Sequence, residues 1–375
     1  MSLLSFFRKR PIHVGLDIGS ANMSIVVAAQ QRDNSLRLLA SCTEPSAGIR
    51  HGQIQDQQMA ISCLRHLIKQ AEYSSHRSIK NVHLAITAGN IKGIINHASY
   101  RLPEEEYLVD SKHIVHAIEK SRSVELHPDQ FIINEQSGRI YIDRRETTHY
   151  PIGLAGRTLE LDTHLITASK SQLKEQINII QKSGIQIENI HFAPLAAAQY
   201  CLNKKQKEEG ALLIDLGAGT SNYICYQNND ILASGSLDIG CDQINENIIQ
   251  DSNIRNEGVE FIKREYGDAY GDVNDTTLVN YQNERGLGNL KMEQGLLNDI
   301  ICKHYSTIFA NISKELNQSR AYRKSMNTYL IGGGSLIQNV EQLAMYILDM
   351  PVEKVRVEEM NYHTAIGLVQ LAAES

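Results

Sequence analysis

Six cysteines in 375 residues (Cys42, Cys63, Cys201, Cys225, Cys241 and Cys302) form no CxxC pair and no cluster. That excludes a zinc ribbon and a disulfide framework, and the thiols read as reduced groups of a cytosolic protein. No apolar run approaches the roughly 20 residues that span a bilayer. Gly and Pro are modest at 25 and 7 positions, and 42% of residues are hydrophobic against 21% charged. This composition excludes collagen-like and disordered chains. A basic surplus is missing as well. Lys and Arg total 37 against 43 Asp and Glu, a net charge of −6. A protein that neutralises many backbone phosphates needs the opposite balance, so nucleic acid is excluded as a partner. Neither GxxxxGK(S/T) nor GxGxxG between a strand and a helix occurs, which removes a P-loop and a Rossmann dinucleotide site.

What is present is alternation. Strand-like apolar runs exchange with helical patterns throughout, which predicts an α/β fold, and the length suggests two or three domains at roughly 100–200 residues each. The most informative feature is an internal repeat: residues 12–27 read IHVGLDIGSANMSIVV and residues 212–226 read LLIDLGAGTSNYICY. Each is an apolar strand, then Asp-x-Gly, then small and hydroxylated residues, then a second apolar run. A repeat at half-chain spacing implies two related domains facing each other. Between them KKQKEEG (204–210) reads as an exposed crossover. Helical spacing occupies 56–72 and 111–122. Val82–Ile86 reads as a strand opening an inserted stretch to about 166, and 251–325 is more polar and helical. Thr328–Ile331 is a strand entering Gly332-Gly333-Gly334-Ser335, and YHTAIGLVQLAA near the end is an apolar helix that docks.

Two Gly-bearing hairpins with an acidic residue at the start of each carry chemistry. Glycine lets backbone approach a ligand closely, and successive N–H groups in such a turn make an anion-binding concavity. Facing each other, they would hold a polyphosphate from both sides. Asp17 and Asp215 would flank it and hold Mg²⁺ through its waters, because Mg²⁺ dehydrates reluctantly. Thr220 and Ser221 supply hydroxyl donors. One such hairpin alone is merely a turn; two, with a third Gly cluster, are not. The GGGS turn would lie flat against a purine and ribose. His113 and His116 stand at i, i+3 on a helix, but no carboxylate or Cys motif accompanies them, so all fourteen histidines read as surface or satisfied core residues. Glu104-Glu105-Glu106 after Pro103 reads as a solvated lead into that helix. At the N-terminus, Leu3, Leu4, Phe6 and Phe7 precede Arg8, Lys9 and Arg10. This order is wrong for a secretory signal. It fits either a frayed tail or a short interfacial helix on anionic lipid.

The order of two phosphate hairpins and a GGGS adenosine motif resembles the actin/sugar-kinase/DnaK-type ATPase superfamily, and within it the FtsA family of bacterial cell division. SIKNVHLAITAGNIKG, YPIGLAGRTLELDTHLITAS, HFAPLAAAQYCL, ALLIDLGAGTSNYICY, GVEFIKREYGDA and YLIGGGSLIQNVEQLA carry the resemblance, which covers nearly the whole chain. It implies an actin-like two-domain ATPase fold with a nucleotide cleft and a small α+β subdomain inserted in the first domain. The implied layout is a tail over 1–10 and a first domain from 11–82, 167–200 and 352–375. The insert covers 83–166, the second domain 210–250 and 326–351, and a subdomain docking the FtsZ tail 251–325. By the resemblance, Asp17, Gly19, Ser20, Ala21 and Asn22 form the first phosphate loop. Asp215, Gly217, Ala218, Gly219, Thr220 and Ser221 form the second. Gly332, Gly333, Gly334 and Ser335 meet the adenosine, Glu260 and Lys263 contact ribose and base, and Gly240 and Asp242 lie behind the nucleotide.

Three departures qualify the implied activity. Asn22 stands where the family often has Lys, and Asn222 where many members have Asp. Ala193 stands where hydrolytic relatives place Glu or Gln, and a methyl group cannot orient water. ATP or ADP binding with at most slow hydrolysis is therefore expected. The implied protein polymerises, binds the FtsZ C-terminal peptide and later division proteins, and sits peripherally on the inner face of the membrane at the division site. GNLKMEQGLLNDIICKHY has Lys303 and His304 where arginines are usual for FtsZ docking. The family normally continues through a linker to an amphipathic helix, whereas this sequence stops at Ser375, so anchoring falls to the N-terminal segment or to a tail not present. The runner-up resemblance is PilM, a type IV pilus assembly scaffold. A sugar-kinase-like phosphotransferase is a further alternative, for which no catalytic Asp or sugar site is evident.

Overall fold

The computed structural model describes residues 10–88, 90–146, 151–252, 258–282, 289–319, 321, 326–355 and 361–374. The first part of the chain forms β1 (Ile12–Ile18), β2 (Asn22–Gln30), β3 (Leu36–Pro45), β4 (Ile49–Arg50), β5 (Gln53–Ile54), α1 (Gln57–Ser75) and β6 (Asn81–Ile86). An insert follows: β7 (Lys92–Arg101), α2 (Ser111–Arg122), β8 (Gln130–Ile142), β9 (Arg145–Glu146) and β10 (Thr158–Ser169). Then come α3 (Lys170–Lys182), β11 (Gln186–Phe192), α4 (Ala193–Cys201) and α5 (Lys204–Glu209). The second half holds β12 (Ala211–Leu216), β13 (Ser221–Gln227), β14 (Asp230–Leu237), α6 (Asp242–Ser252), α7 (Val259–Tyr266), β15 (Leu278–Gln282) and β16 (Asn289–Glu293). It closes with α8 (Gln294–Gln318), β17 (Asn327–Ile331), α9 (Val340–Leu348), β18 (Val352–Lys354) and α10 (His363–Glu374).

The duplicated sequence becomes a duplicated sheet. The first runs β11-β6-β1-β2-β3, and five strands of the second run β18-β17-β12-β13-β14. In both, the hairpin pair is antiparallel and the strand on its other side parallel. The register repeats too: Asp17 faces Ser24 as Asp215 faces Asn222. The central strands are buried on both faces, which is why β2 and β12 read as continuous apolar runs instead of alternating ones. On one side, α10 packs on β1, β2 and β6 through Ala365, Ile366, Leu368 and Val369. Helix α4 lies between the halves, touching α10 through Ala196 and the second sheet through Ala197 and Ala198, with Leu202 just past its end in the same core.

Several boundaries differ from the sequence expectation. Residue 83, the expected start of the insert, lies inside β6, which sits between β1 and β11 in the first sheet. Its unbroken run Val82–Ile86 is the signature of a strand covered on both faces. Strand β18 belongs to the second sheet, beside β17, instead of the first domain. Its three residues after Pro351 are too few to show a period. The segment 251–325 is no separate polar body. Helix α8 buries Leu297, Ile300, Ile301, Tyr305, Ile308, Phe309, Ile312 and Leu316 in one core with Leu212, Ile214 and Leu216 of β12.

The insert has its own small core of Leu102, Val109, Ala117, Ile142, Leu159 and Leu161. Its sheet β7-β10-β8-β9 extends the second sheet, because Lys92 pairs with Gly235 of β14. Beside that junction His164 Nε2 lies 2.9 Å from Ser234 Oγ. The histidine reading needs correction here. The turn before α2 brings Glu106 Oε2 to 2.7 Å from buried His113 Nε2, and His113 Nδ1 accepts the Asp110 N–H in a capping box. These three residues offer ligand atoms within 4.8 Å of one another, but the ring is committed to the cap. His83, His164 and His304 are buried and His191 half-buried, each with one ring nitrogen lacking a partner. Burial lowers all four, His164, His191 and His304 to about 4. Among the described residues no helix is long and apolar enough to cross a membrane. Of the N-terminal apolar-basic segment, residues 1–9 lie outside the described residues.

Candidate functional site

Each Asp-x-Gly hairpin turns tightly for the same reason. Gly19 N–H donates to Asn22 O, and Gly217 N–H donates to Thr220 O, both at 3.0 Å. The two turns meet. A Cβ on Gly219 would collide with Ser20 Oγ and the Gly52 backbone nitrogen. Ser20 Oγ accepts the Gly52 N–H at 2.7 Å, so the β4–β5 turn braces the first hairpin. The second hairpin is fixed from behind: Cys241 N–H and Asp242 N–H donate to Gly217 O and Ala218 O at 3.0 and 2.9 Å. Ser221 Oγ donates to Ile239 O at 2.7 Å, so this hydroxyl braces the strand instead of facing the cleft. Asn222 Nδ2 donates to Thr220 Oγ1 at 3.2 Å and Asn222 Oδ1 accepts from Ser236 Oγ at 2.5 Å, an amide that locks the hairpin's neighbour.

Between the hairpins opens a cleft of about 730 Å³, within the usual size for a small-molecule site. Asp17, Gly19, Ser20, Ala21, Asn22, Asp215, Gly217, Ala218, Gly219 and Thr220 line it, as do Asp242, Glu260, Lys263 and Gly332–Gly334. Gly240, Ser221 and Ser335 stand behind this lining: Ser335 is buried with its hydroxyl on Gly332 O at 2.7 Å. Gly240 has no room for a side chain against Ala218 and Gly219. Gly332 has φ +82, a left-handed conformation that favours glycine, and a Cβ there would collide with Asp215 Oδ1. Tyr305 O–H donates to Gly334 O at 2.9 Å and supports the turn from α8.

The floor is electrostatically strained. Desolvation by the cleft walls, then the charge of Asp215, push the Asp17 carboxyl up to about 7. Desolvation likewise raises Asp215, with His363 opposing. Two carboxylates that share one desolvated cleft resist ionising together unless a cation joins them. On the opposite wall, buried Lys263 Nζ lies 2.6 Å from Glu260 Oε2, and Asn245 Nδ2 donates to the same oxygen at 2.9 Å. Desolvation raises the Glu260 carboxyl, but the Lys263 bond and charge outweigh it and hold the group below its ordinary value. Asp242 moves up, by desolvation first, with Lys263 and His51 opposing. Ala193, the first residue of α4, is buried yet lines the cleft and presents only a methyl group.

Sequence reasoning missed Thr87, Tyr305, Asn361, His363 and Thr364, which line the same cleft from just past β6, from α8 and from the start of α10 and the residues before it. No local motif marks them. They arrive through tertiary packing, and the small polar cluster NYHT before the last helix was the one available signal. His304 is not a surface residue for a partner, since it is buried and its ring meets Tyr305 edge-on. Lys303 is exposed and pairs with Asp299 at 2.6 Å.

Two family profiles match the sequence. One, described as Cell division protein FtsA, covers residues 212–367; the other, the SHS2 domain inserted in FTSA, covers residues 88–167. The chain belongs to the FtsA family. Curated FtsA proteins of Neisseria meningitidis and Bacillus subtilis are 25% and 24% identical, over 96% and 97% of this chain and 89% and 84% of theirs. Among solved structures, a PilM-PilN type IV pilus biogenesis complex has TM-score 0.65 at 17% identity, covering 97% of this chain and 99% of that one. MreB5 of Spiroplasma citri bound to ADP has TM-score 0.56 at 15% identity, covering 98% and 96%. These likenesses show the actin-like fold. With the FtsA profiles on both the insert and the second half, the chain is an actin-like cell division protein.

Proposed function

We propose that this FtsA-family protein binds ATP or ADP with Mg²⁺ in the cleft, polymerises, and links FtsZ filaments to the membrane surface at the division site. The observation that carries the nucleotide reading is the pair of hairpins in one register, facing each other over Asp17 and Asp215. The MreB5 structures of the same fold are described as bound to ADP and AMPPNP. Backbone N–H groups of Ser20–Asn22 and Ala218–Thr220 bind phosphate oxygens, and Gly332–Gly334 offer a flat wall to the base and ribose. Bound Mg²⁺ would neutralise phosphate charge, and Asp17 and Asp215 are the carboxylates that would hold it through its waters. Their raised pKa values fit that role, because a cation relieves their mutual repulsion. Hydrolysis is slow, since Ala193 leaves an attacking water without a hydrogen-bonding side chain.

The partner reading rests on family membership and on exposed apolar side chains of the segment after α6. Phe261, Tyr266, Leu278 and Leu296 are exposed there. The membrane reading rests on Leu3, Leu4, Phe6 and Phe7 beside Arg8, Lys9 and Arg10. Two measurements test the proposal. Thermal unfolding with and without Mg-ATP or Mg-ADP should show nucleotide stabilisation, and calorimetry with an FtsZ C-terminal peptide should show saturable binding. Absence of any nucleotide effect removes the cleft reading; absence of peptide binding removes the FtsZ link.

A further inference from the structure

Behind the phosphate hairpins lies a second, much smaller cavity of about 40 Å³, room for a bare ion and a water or two. The β4–β5 turn (His51, Gly52), the end of β6 (Thr87), α3 (Gln172, Gln176) and Asn90 wall it in. Four side-chain atoms of these lining residues are buried without a hydrogen-bond partner: His51 Nδ1, Asn90 Oδ1, Gln172 Oε1 and Gln176 Oε1. The histidine's role is set by its other side. His51 Nε2 stands 3.0 Å from Glu246 Oε1, a carboxylate that accepts only, so Nε2 carries a proton and the partnerless nitrogen facing away from Glu246 is Nδ1. Three amide oxygens and an imidazole nitrogen without partners thus border one small space, beside the hydroxyls of Thr87 and Ser169. No Lys or Arg lines it among the described residues, while exposed Glu175 and Asp238 bring carboxylates to its rim. Buried acceptors are rarely left unpaired, and neutral oxygens with negative charge at the mouth select a positive occupant.

We propose that this cavity binds a monovalent cation of K⁺ or Na⁺ size, joining the first domain, α3 and the second domain's Asp238 behind the nucleotide site. Soft divalent metals are disfavoured, because the set is oxygen-rich and holds no thiolate. The cation would stiffen the β4–β5 turn, whose Gly52 N–H holds Ser20 of the first hairpin.

The test uses the full chain without nucleotide, so it stands apart from the cleft reading. Thermal unfolding is measured in KCl, NaCl and N-methyl-D-glucamine chloride at one ionic strength. A saturable rise of Tm of a few degrees is expected in KCl or NaCl over N-methyl-D-glucamine, and the larger of the two identifies the ion. Gln172→Leu and Gln176→Leu should abolish the difference while unfolding normally in N-methyl-D-glucamine. Gln172→Glu, which adds a carboxylate and keeps the shape, should enlarge it even where a Leu variant fails to fold. In crystals, Tl⁺ should give an anomalous peak between His51 and Gln172. Equal Tm in all three salts with no Tl⁺ peak means water alone and overturns the proposal. Stabilisation that follows the anion when chloride is exchanged overturns it too, because the amides would then be presenting N–H groups.

Discussion

Neighbouring glycines at the cleft wall separate the ligand from the fold. A Cβ on Gly333 meets nothing within 4 Å, and its backbone is not left-handed, so a side chain there projects into open cleft. A Cβ on Gly334 collides with Cys241 Sγ and stands 2.9 Å from Leu216 Cβ. Gly334→Leu should therefore cost about 1–3 kcal/mol or more of stability through overpacking. Gly333→Leu should leave the ligand-free protein within about 0.5 kcal/mol of wild type, as surface substitutions do. Its effect should appear only with nucleotide, because the isobutyl group occupies space that the base and ribose would use. A tenfold loss of affinity is about 1.4 kcal/mol. At a hundredfold excess over Kd, nucleotide stabilises wild type by about 2.7 kcal/mol, and the same concentration would leave the variant about half of that. The assay is thermal unfolding across an ADP titration, with Gly333→Ala as the graded intermediate. An unchanged ADP-induced shift in Gly333→Leu, with the variant folded, would refute the placement of the adenosine.

The carboxylate pair makes stability pH-dependent without ligand. Asp17 has a folded pKa of about 7, above its unfolded value, so its contribution is full below about pH 4 and lost as pH rises through 7. Asp17→Asn should accordingly stabilise the ligand-free protein at pH 8, by at most about 4 kcal/mol less screening by cleft water, in urea unfolding. His164, His191 and His304 act oppositely: lowered to about 4, they contribute stability above the unfolded pKa near 6.5 that is lost as pH falls through 4. Replacing His164, the histidine at the junction of insert and second sheet, by Gln should flatten the acid limb of a Tm–pH profile. Wild-type ATP turnover should lie far below the roughly 1–100 s⁻¹ of kinases, and Ala193→Gln should raise it in a phosphate-release assay. Removal of residues 1–10 should abolish salt-sensitive co-sedimentation with anionic liposomes; equal sedimentation of both proteins would return the N-terminus to a plain tail.

What the sequence discloses is local and duplicated. Asp17-Ile18-Gly19 and Asp215-Leu216-Gly217 are legible because a tight turn, a close approach and a carboxylate must occur within three residues, and the second copy removes coincidence. The polar look of 251–325 misleads. Helix α8 spaces Leu297, Ile301, Tyr305, Ile308 and Ile312 along one buried stripe, but charged and amide residues on its other face dilute the average. The pairing of Lys92 with Gly235 joins strands well over a hundred residues apart, and no local pattern encodes it. Val352–Lys354 is too short to carry a period, and the cleft positions of Thr87 and His363 depend on where β6 ends and α10 begins.

Equal register does not make the two hairpins equal partners. In the second, Thr220, Ser221 and Asn222 are all nearly inaccessible, tied to β14 and to the segment before α6. In the first, Ala21 and Asn22 are exposed, and its bracing comes from Ser46 Oγ on Gly19 O and from the Gly52 N–H on Ser20. A polyphosphate would therefore meet one rigid wall and one that adjusts. Across the cleft edge, Arg50 and His51 reach Glu246 of α6 at 2.7 and 3.0 Å, half-exposed pairs of the kind that contribute about 0–1 kcal/mol. Against them stands the repulsion of Asp17 and Asp215, which a cation with phosphates would convert into attraction. Weak edge pairs opposing a ligand-dependent floor make the cleft mouth, unlike the apolar α4 seam between the halves, responsive to the ligand. Neutralising Glu246 should then change how readily the halves separate far more than it changes the stability of either one.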